Sequence, residues 1–281
     1  MAMWSMDFGV TIFFTDSTIS VTDLATELEA RGYASLYLPE HSHIPTSRAT
    51  AFPLGEPLPE HYRRVFDSIV GLTTAAAVTK RLLVGTGISL AMQHHPIEHA
   101  KALATLDVIS GGRARFGVGY GWNVEEMADH GVAYGTRRAQ VREHVLAIHR
   151  LWADEVAEFH GEFVDFGPAW QWPKPRQQPR IPTFIGGSPG PKMFAAVSEF
   201  ADGWMPIGGG GIREFMPALH EAWAAAGRQG APAVIPFGSV PSPRKVEYYR
   251  EMGCTHAVFS IPSAGRDEVL AVLDTYQPMI D

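Results

Sequence analysis

The strongest constraint on this chain is a repeated alternation. Short runs rich in Val, Ile, Leu and Phe are each followed by a stretch with helical spacing, from one end of the sequence to the other. Strands in this order form a parallel sheet, because parallel neighbours need a long crossover and a covering helix supplies it. About eight such units can be drawn, the number that closes a barrel. The expected fold class is therefore α/β, a (β/α)8 TIM barrel, and the 281 residues suit one domain over 1–281, since such barrels take roughly 250 residues. Strands are expected near 6–13, 34–38, 82–90, 114–118, 182–186, 203–207, 233–237 and 256–261. Continuous apolar runs of this kind suit strands buried on both faces. Helices are expected over 22–31, 66–79, 97–109, 137–152, 192–200, 214–226, 243–252 and 267–276, each near a Gly, Ser or Pro boundary.

Composition narrows the class of partner. The chain is 46% hydrophobic, enough for a large core, and its net charge of -7 offers no basic stripe to a nucleic-acid backbone. With Cys254 alone, no disulfide forms within the chain, which fits a reducing cytoplasm. The apolar start, 1–14, has no basic leader and carries Asp7, so it does not read as a signal peptide. Lys80 and Arg81 interrupt the longest apolar region, and no run reaches the roughly 18 to 20 residues of a membrane span.

Two segments break the rhythm, and loops on the C-terminal face of a barrel carry its chemistry. Segment 39–62 holds five prolines and three histidines. Segment 155–180 contains Phe159, Phe163 and Phe166 in hairpin-like alternation, then Trp170 and Trp172 in a Pro-rich stretch. It reads either as a lid over a pocket or as a surface brace.

Glu40-His41 follows directly on the strand Leu36-Tyr37-Leu38, placing His41 at a C-terminal strand end. His41 is the first catalytic candidate, since imidazole titrates near neutrality; the alternative is a histidine that only ties down the adjacent loop. His41 and His43 together invite comparison with metal-dependent barrel hydrolases. Those sites need further ligands at other strand ends, and here strands five and six end in Phe184-Ile185-Gly186 and Trp204-Met205-Pro206. His94, His95 and His99 lie about a helix start, so one of them is expected to face the pocket.

Strand three reads Val84-Gly85-Thr86-Gly87-Ile88-Ser89, with glycines inside a β-branched run. Such glycines mark either a bulge toward a ligand or a tightly packed strand pair. Strand four alternates glycines through Gly117, Gly119 and Gly121 before Trp122, a spacing that leaves room for a flat ring. It fails as a dinucleotide fingerprint, because the third glycine and the acid partner are missing. Gly186-Gly187-Ser188 precedes a helix, so backbone N–H groups of Gly187, Ser188 and Gly190 could hold an anion there; a plain strand-to-helix turn explains the glycines nearly as well.

These residues resemble a known family, the luciferase-like flavin or deazaflavin oxidoreductases, and especially the actinobacterial group that uses coenzyme F420. The likeness runs along nearly the whole chain. It is most specific in Leu82-Leu83-Val84-Gly85-Thr86-Gly87, Pro96-Ile97-Glu98-His99-Ala100-Lys101, Ala104-Thr105-Leu106-Asp107, Ser110-Gly111-Gly112-Arg113 and Gly117-Val118-Gly119. Ile185-Gly186-Gly187-Ser188 and Ala201-Asp202-Gly203-Trp204 continue it.

The resemblance implies that the acid-His pair Glu40-His41 sits at the cofactor, with His41 beside the reactive ring carbon. It further implies a non-prolyl cis peptide from Gly87 to Ile88 that bulges against the ring, and a phosphate turn at Gly186-Gly187-Ser188. Gly119, Gly121 and Trp122 complete the expected cofactor-binding set. Some deazaflavin dehydrogenases carry an acid where Trp122 stands, which argues against the sugar-phosphate subgroup. Trp122, Trp170 and Trp172 instead suggest a small apolar substrate. The expected protein is a cytoplasmic, homodimeric oxidoreductase using a deazaflavin, coenzyme F420, to transfer hydride. The alternatives are an FMN-dependent monooxygenase of the same fold, a metal-dependent hydrolase, and a non-catalytic flavin-binding protein.

Overall fold

The computed structural model describes residues 6–280; the first five residues of the apolar start, and Asp281, lie outside the described residues. In chain order the elements are β1 (Asp7–Thr11), α1 (Val21–Ala30), β2 (Ser35–Leu38), α2 (Ser68–Val78), β3 (Leu83–Thr86), α3 (Pro96–Ser110) and β4 (Ala114–Val118). There follow α4 (Val124–Asp129), α5 (Arg137–Ala153), the pair β5 (Ala157–His160) and β6 (Asp165–Ala169), β7 (Thr183–Gly186), α6 (Pro191–Phe200) and β8 (Gly203–Met205). The chain ends with α7 (Ile212–Ala225), β9 (Ala233–Val234), β10 (Phe237–Ser239), α8 (Pro243–Glu251), β11 (His256–Ser260) and α9 (Arg266–Ile280).

The parallel sheet runs β10-β11-β1-β2-β3-β4-β7-β8-β9. Its two outer strands, β9 and β10, are halves of one stretch interrupted at Ile235-Pro236. Ile235 N–H donates to Trp204 O and Phe237 N–H to Pro206 O, while Pro236 O accepts from Val258 N–H, each at 2.9 Å. One stretch therefore pairs with its neighbours on both sides, and the sheet closes into the expected barrel. The expected strand at 233–237 differs in being split, because Pro236 has no N–H to give to the ladder.

Local signals set the helix ends. The Asp67 side chain caps α2 by accepting from Val70 N–H, and Ser20 does the same for Asp23 N–H at the start of α1. Pro96 opens α3, where a missing N–H costs nothing, and Gly111 closes it at φ 76°, a left-handed conformation that suits glycine. The following Arg113 donates to carbonyls of Ala76, Thr79, Leu82 and Ser110, tying α2, α3 and β4 together. No helix among the described residues is long and apolar enough to cross a membrane.

Apolar side chains form two layers. The larger lies between sheet and helices and includes Leu24, Leu36, Leu72, Val84, Leu103 and Val145, all fully buried. The smaller, Tyr37, Phe184, Met205, Ile235, Phe237 and Val258, fills the barrel itself.

The β5–β6 hairpin pairs Phe159 with Phe166, as the alternation anticipates, but Phe163 lies in its turn. It packs on α5, where the Glu143 carboxylate accepts from the N–H groups of Glu162, Phe163 and Val164 at 3.1, 2.7 and 3.0 Å. Trp170 and Trp172 beyond it are 78% and 60% exposed. The hairpin also borders a cavity of about 380 Å³, which Phe163, Val164 and Phe166 line together with Gln93, His94 and His130.

Candidate functional site

The C-terminal strand ends open into a cavity of about 370 Å³. Gly87, Ile88, Gly119, Gly121, Trp122, Gly186, Gly187 and Ser188 all reach its wall, joined by Pro53, Arg137, Arg138, Met205, Ile207 and Phe237. Glu40 and His41 do not line it. They border a neighbouring cavity of about 270 Å³ with Ser42, Asp67, Gln93, His94 and His130. Of His94, His95 and His99, none lines the mouth, while His94 lines the neighbouring cavity with Glu40 and His41.

Past Thr86 the chain leaves the ladder and rejoins it at Ser89, whose N–H donates to Gly117 O at 2.7 Å and whose carbonyl accepts from Gly119 N–H at 3.0 Å. The intervening peptide, Gly87–Ile88, is cis, as the resemblance implies. This detour sets the Ile88 side chain between two glycines. A Cβ on Gly119 would lie 2.4 Å from Ile88 Cδ1, and one on Gly186 would lie 2.8 Å from Ile88 Cγ2. Gly119 and Gly186 thus make room for Ile88, whereas a Cβ on Gly117 would meet Thr86 O and one on Gly121 would meet Met127. The turn at Gly187 also differs from expectation, since its N–H is directed at Met205 O, 3.3 Å away, rather than left for an anion.

Glu40 is a hub of the wall rather than of the mouth. Its carboxylate accepts from Ser89 Oγ at 2.7 Å, Leu90 N–H at 2.6 Å and His94 Nε2 at 2.7 Å, so it clamps the end of β2 to the chain just beyond Ile88. Burial favours the neutral acid, but the His94 hydrogen bond and charge, with help from Ser89, hold the carboxyl down at about 2. Burial also opposes charge on His94, whose pKa is nonetheless raised by Glu40. His99, stacked on His94 at 4.3 Å, is pushed down to about 3 by burial and by His94, so it is a neutral core ring at physiological pH.

These shifts give a pH dependence. A depressed carboxyl stabilises the fold above its ordinary value, 4.5, and that stabilisation is lost as pH falls toward 2. The raised His94 contributes in the opposite sense, losing its share as pH rises through its shifted value. Melting temperatures recorded from pH 6 down to about 2.5 are expected to fall less steeply in Glu40→Gln than in the wild type. Parallel curves would remove Glu40 from the acid response.

His41 Nδ1 lies 2.8 Å from Glu126 Oε2, with the two side chains only 7% and 1% exposed. Tyr62 and Trp122 pack on the imidazole at 5.3 and 5.9 Å, and Phe52 of the 39–62 segment meets both of those rings. His41 therefore stands behind Trp122, one ring away from the mouth. His43 turns outward to Asp129 at 2.9 Å, and among the described residues no group of three or more His, Cys, Asp or Glu is arranged to hold a metal ion.

Among the residues of this region that the sequence-based set lacks are Glu126, Arg137 and Arg138. Glu126 could not be paired with His41 across 85 positions by local pattern. Arg137 and Arg138 open α5, where the helix dipole disfavours cations unless an anion is near, and that conflict was the available signal. Arg138 lies over the Tyr120 ring at 4.2 Å, and the buried Nε of Arg137 has no hydrogen-bond partner.

Comparison with known proteins agrees with this architecture. A protein of Mycobacterium tuberculosis without assigned function is 40% identical over 273 residues, 96% of each chain. An F420-dependent glucose-6-phosphate dehydrogenase of Kineococcus radiotolerans is 29% identical over 217 residues, 74% of this chain and 59% of that one. Two solved structures share the fold. An F420-dependent secondary alcohol dehydrogenase, in complex with an F420-acetone adduct, superposes with a TM-score of 0.78 at 17% identity, covering 99% of both chains. The oxygenating constituent of 3,6-diketocamphane monooxygenase from Pseudomonas putida, in complex with FMN, gives a TM-score of 0.67 at 16% identity, over 87% of this chain and 70% of that one. Residues 6–256 match the sequence pattern described as luciferase-like monooxygenase, so the chain belongs to this family of oxidoreductases, some of which depend on F420.

Proposed function

We propose that this protein is a deazaflavin-dependent oxidoreductase acting on a small apolar substrate, with coenzyme F420 in the mouth cavity and His41 as the proton-exchanging group. The carrying observation is the mixed lining of the mouth. Ile88, Met205 and Phe237 give it apolar surface, and Arg137, Arg138 and Ser188 line it too; Arg137 Nη1 donates to Tyr134 O, while its buried Nε has no partner. A flat ring with an anionic tail is the chemistry such a lining fits. When bound, a deazaflavin would supply two-electron hydride transfer.

The chain's own residues would do the rest. Ile88 would support the ring from one face, and Trp122 would close an apolar wall around the substrate. Arg137, Arg138 and the Ser188 turn would hold the anionic tail. His41, which borders the adjoining cavity behind Trp122 and not the mouth itself, would take or give the accompanying proton from that side. Trp170 and Trp172 have no part in this reading, because both are exposed away from the cavity. The proposal includes a cytoplasmic location, in keeping with the buried, unpaired Cys254, and a homodimer, which rests on the family resemblance alone.

The FMN-bound neighbour of the same fold supports a second reading, an FMN-dependent monooxygenase. Titrating the protein separately with F420 and FMN, followed by tryptophan fluorescence, divides the two. F420 is expected to bind at least about tenfold more tightly, a difference of about 1.4 kcal/mol. Saturable binding of FMN alone would transfer the assignment to the monooxygenase.

A further inference from the structure

We infer that Glu126 is a positioning residue for His41: it fixes the proton on Nδ1 and thereby presents Nε2 as the atom that exchanges protons. This rests on the reading of His41 given above. With Glu126 ionised its carboxylate only accepts, and the 2.8 Å contact from Oε2 to Nδ1 then places the hydrogen on Nδ1. In a neutral imidazole the other nitrogen is then the lone-pair acceptor.

Burial makes this pairing restrictive. Glu126 is 1% exposed, its Oε1 has no hydrogen-bond partner, and the His41 ring is the sole side chain that hydrogen-bonds its carboxylate among the described residues. A buried carboxylate with one donor holds that donor firmly, since losing it leaves an uncompensated charge. Its own position is set by β4 and α4. Asn123 caps α4 and its Oδ1 accepts from Glu126 N–H at 3.3 Å, while the acid sits in the first turn, where the helix dipole favours it. The end of β4 is thereby tied to the end of β2.

A purely structural brace between α4 and the 39–62 segment is the competing account, but the adjacent residue already supplies it. Glu125 accepts from Thr50 N–H at 2.8 Å, from the Thr50 hydroxyl, and from Ser47 Oγ at 3.2 Å. Glu125 holds the segment at its backbone; Glu126 holds one imidazole. When Nε2 gains a proton, the ring becomes a cation beside the buried carboxylate, and the pair is charge-balanced. When it releases that proton, Nδ1–H remains donated to Glu126 and the ring keeps its orientation.

The test reads the ring directly. In 15N-histidine-labelled protein without cofactor, long-range proton–nitrogen correlation spectra near pH 8 distinguish Nδ1–H from Nε2–H, and loss of signals in His41→Gln identifies His41. The wild type is expected to show Nδ1–H alone. Glu126→Gln, which keeps the volume but can donate as well as accept, should introduce the other tautomer. It should also lower kcat at least about tenfold with cofactor affinity within about twofold, and flatten the pH profile of kcat. Glu125→Gln should leave the His41 signals in place. An Nε2–H pattern in the wild type, or an unchanged tautomer in Glu126→Gln, overturns the inference even if His41 proves catalytic. A changed tautomer with full turnover in both Glu126→Gln and His41→Gln instead removes the proton role of His41, and the inference falls with it.

Discussion

Replacing His41 by Gln is expected to lower kcat by about 10²- to 10⁴-fold, the usual worth of an acid–base group, while the protein stays folded and binds its cofactor. The choice of Gln follows from the structure. Alanine at this position would strand the 1%-exposed Glu126 carboxylate without its hydrogen-bond donor. Removing one partner of a buried pair costs about 3 to 5 kcal/mol, a large part of the stability of most domains. Loss of activity in His41→Ala would therefore mix chemistry with unfolding, whereas Gln keeps a donor near Glu126. Single-turnover rates with any accepted substrate, alongside thermal melts of both variants, separate the two effects. Wild-type turnover in His41→Gln would take the residue out of the mechanism.

The second large effect is expected at Gly119. A methyl group here would meet Ile88 Cδ1 at 2.4 Å, so the Ile88 side chain must shift. The displaced side chain has the mouth cavity to move into, so Gly119→Ala should weaken cofactor binding by about 1 to 3 kcal/mol, roughly ten- to a hundredfold. Ile88→Ala alone should also weaken binding by about 1 to 3 kcal/mol, through lost contact area. In the double variant the two losses should not add, since the truncated residue 88 no longer obstructs a methyl at 119. Dissociation constants for all four proteins decide the matter. Additive losses would mean that Gly119 acts on the cofactor directly and not through Ile88.

The barrel was legible because its cause is local. Alternating strand and helix signals, capped by residues such as Asp67 and Gly111, need no distant partner to be read. The glycine walls of the mouth were legible too, since Gly119, Gly121, Gly186 and Gly187 all reach the cavity. Their reason was not: Gly119 and Gly186 answer to the Ile88 side chain, a contact that strand periodicity does not encode. Glu40 read as a cofactor residue from its place beside His41; in the structure it faces Ser89 and His94, and it borders the cavity next to the mouth together with His41. The exposed Trp170 and Trp172 were misread for a simpler reason, since residue type alone does not say on which side of a Pro-rich turn a ring falls. The short helix α4, six residues with Glu126 in its first turn, was too brief for its periodicity to register.

The inner plug of the barrel has a further consequence. Met205 and Phe237 belong both to the packed interior and to the floor of the mouth. Widening the seat by trimming either one removes the same atoms from the plug, so adaptation to a bulkier ligand from below would be selected against through loss of fold. Pro53 and Trp122 also border the cavity but stand outside that plug. Room for a bulkier ligand is thus gained at less cost to the fold at Pro53, in the 39–62 segment, and at Trp122, in the turn after β4, than at Met205 or Phe237.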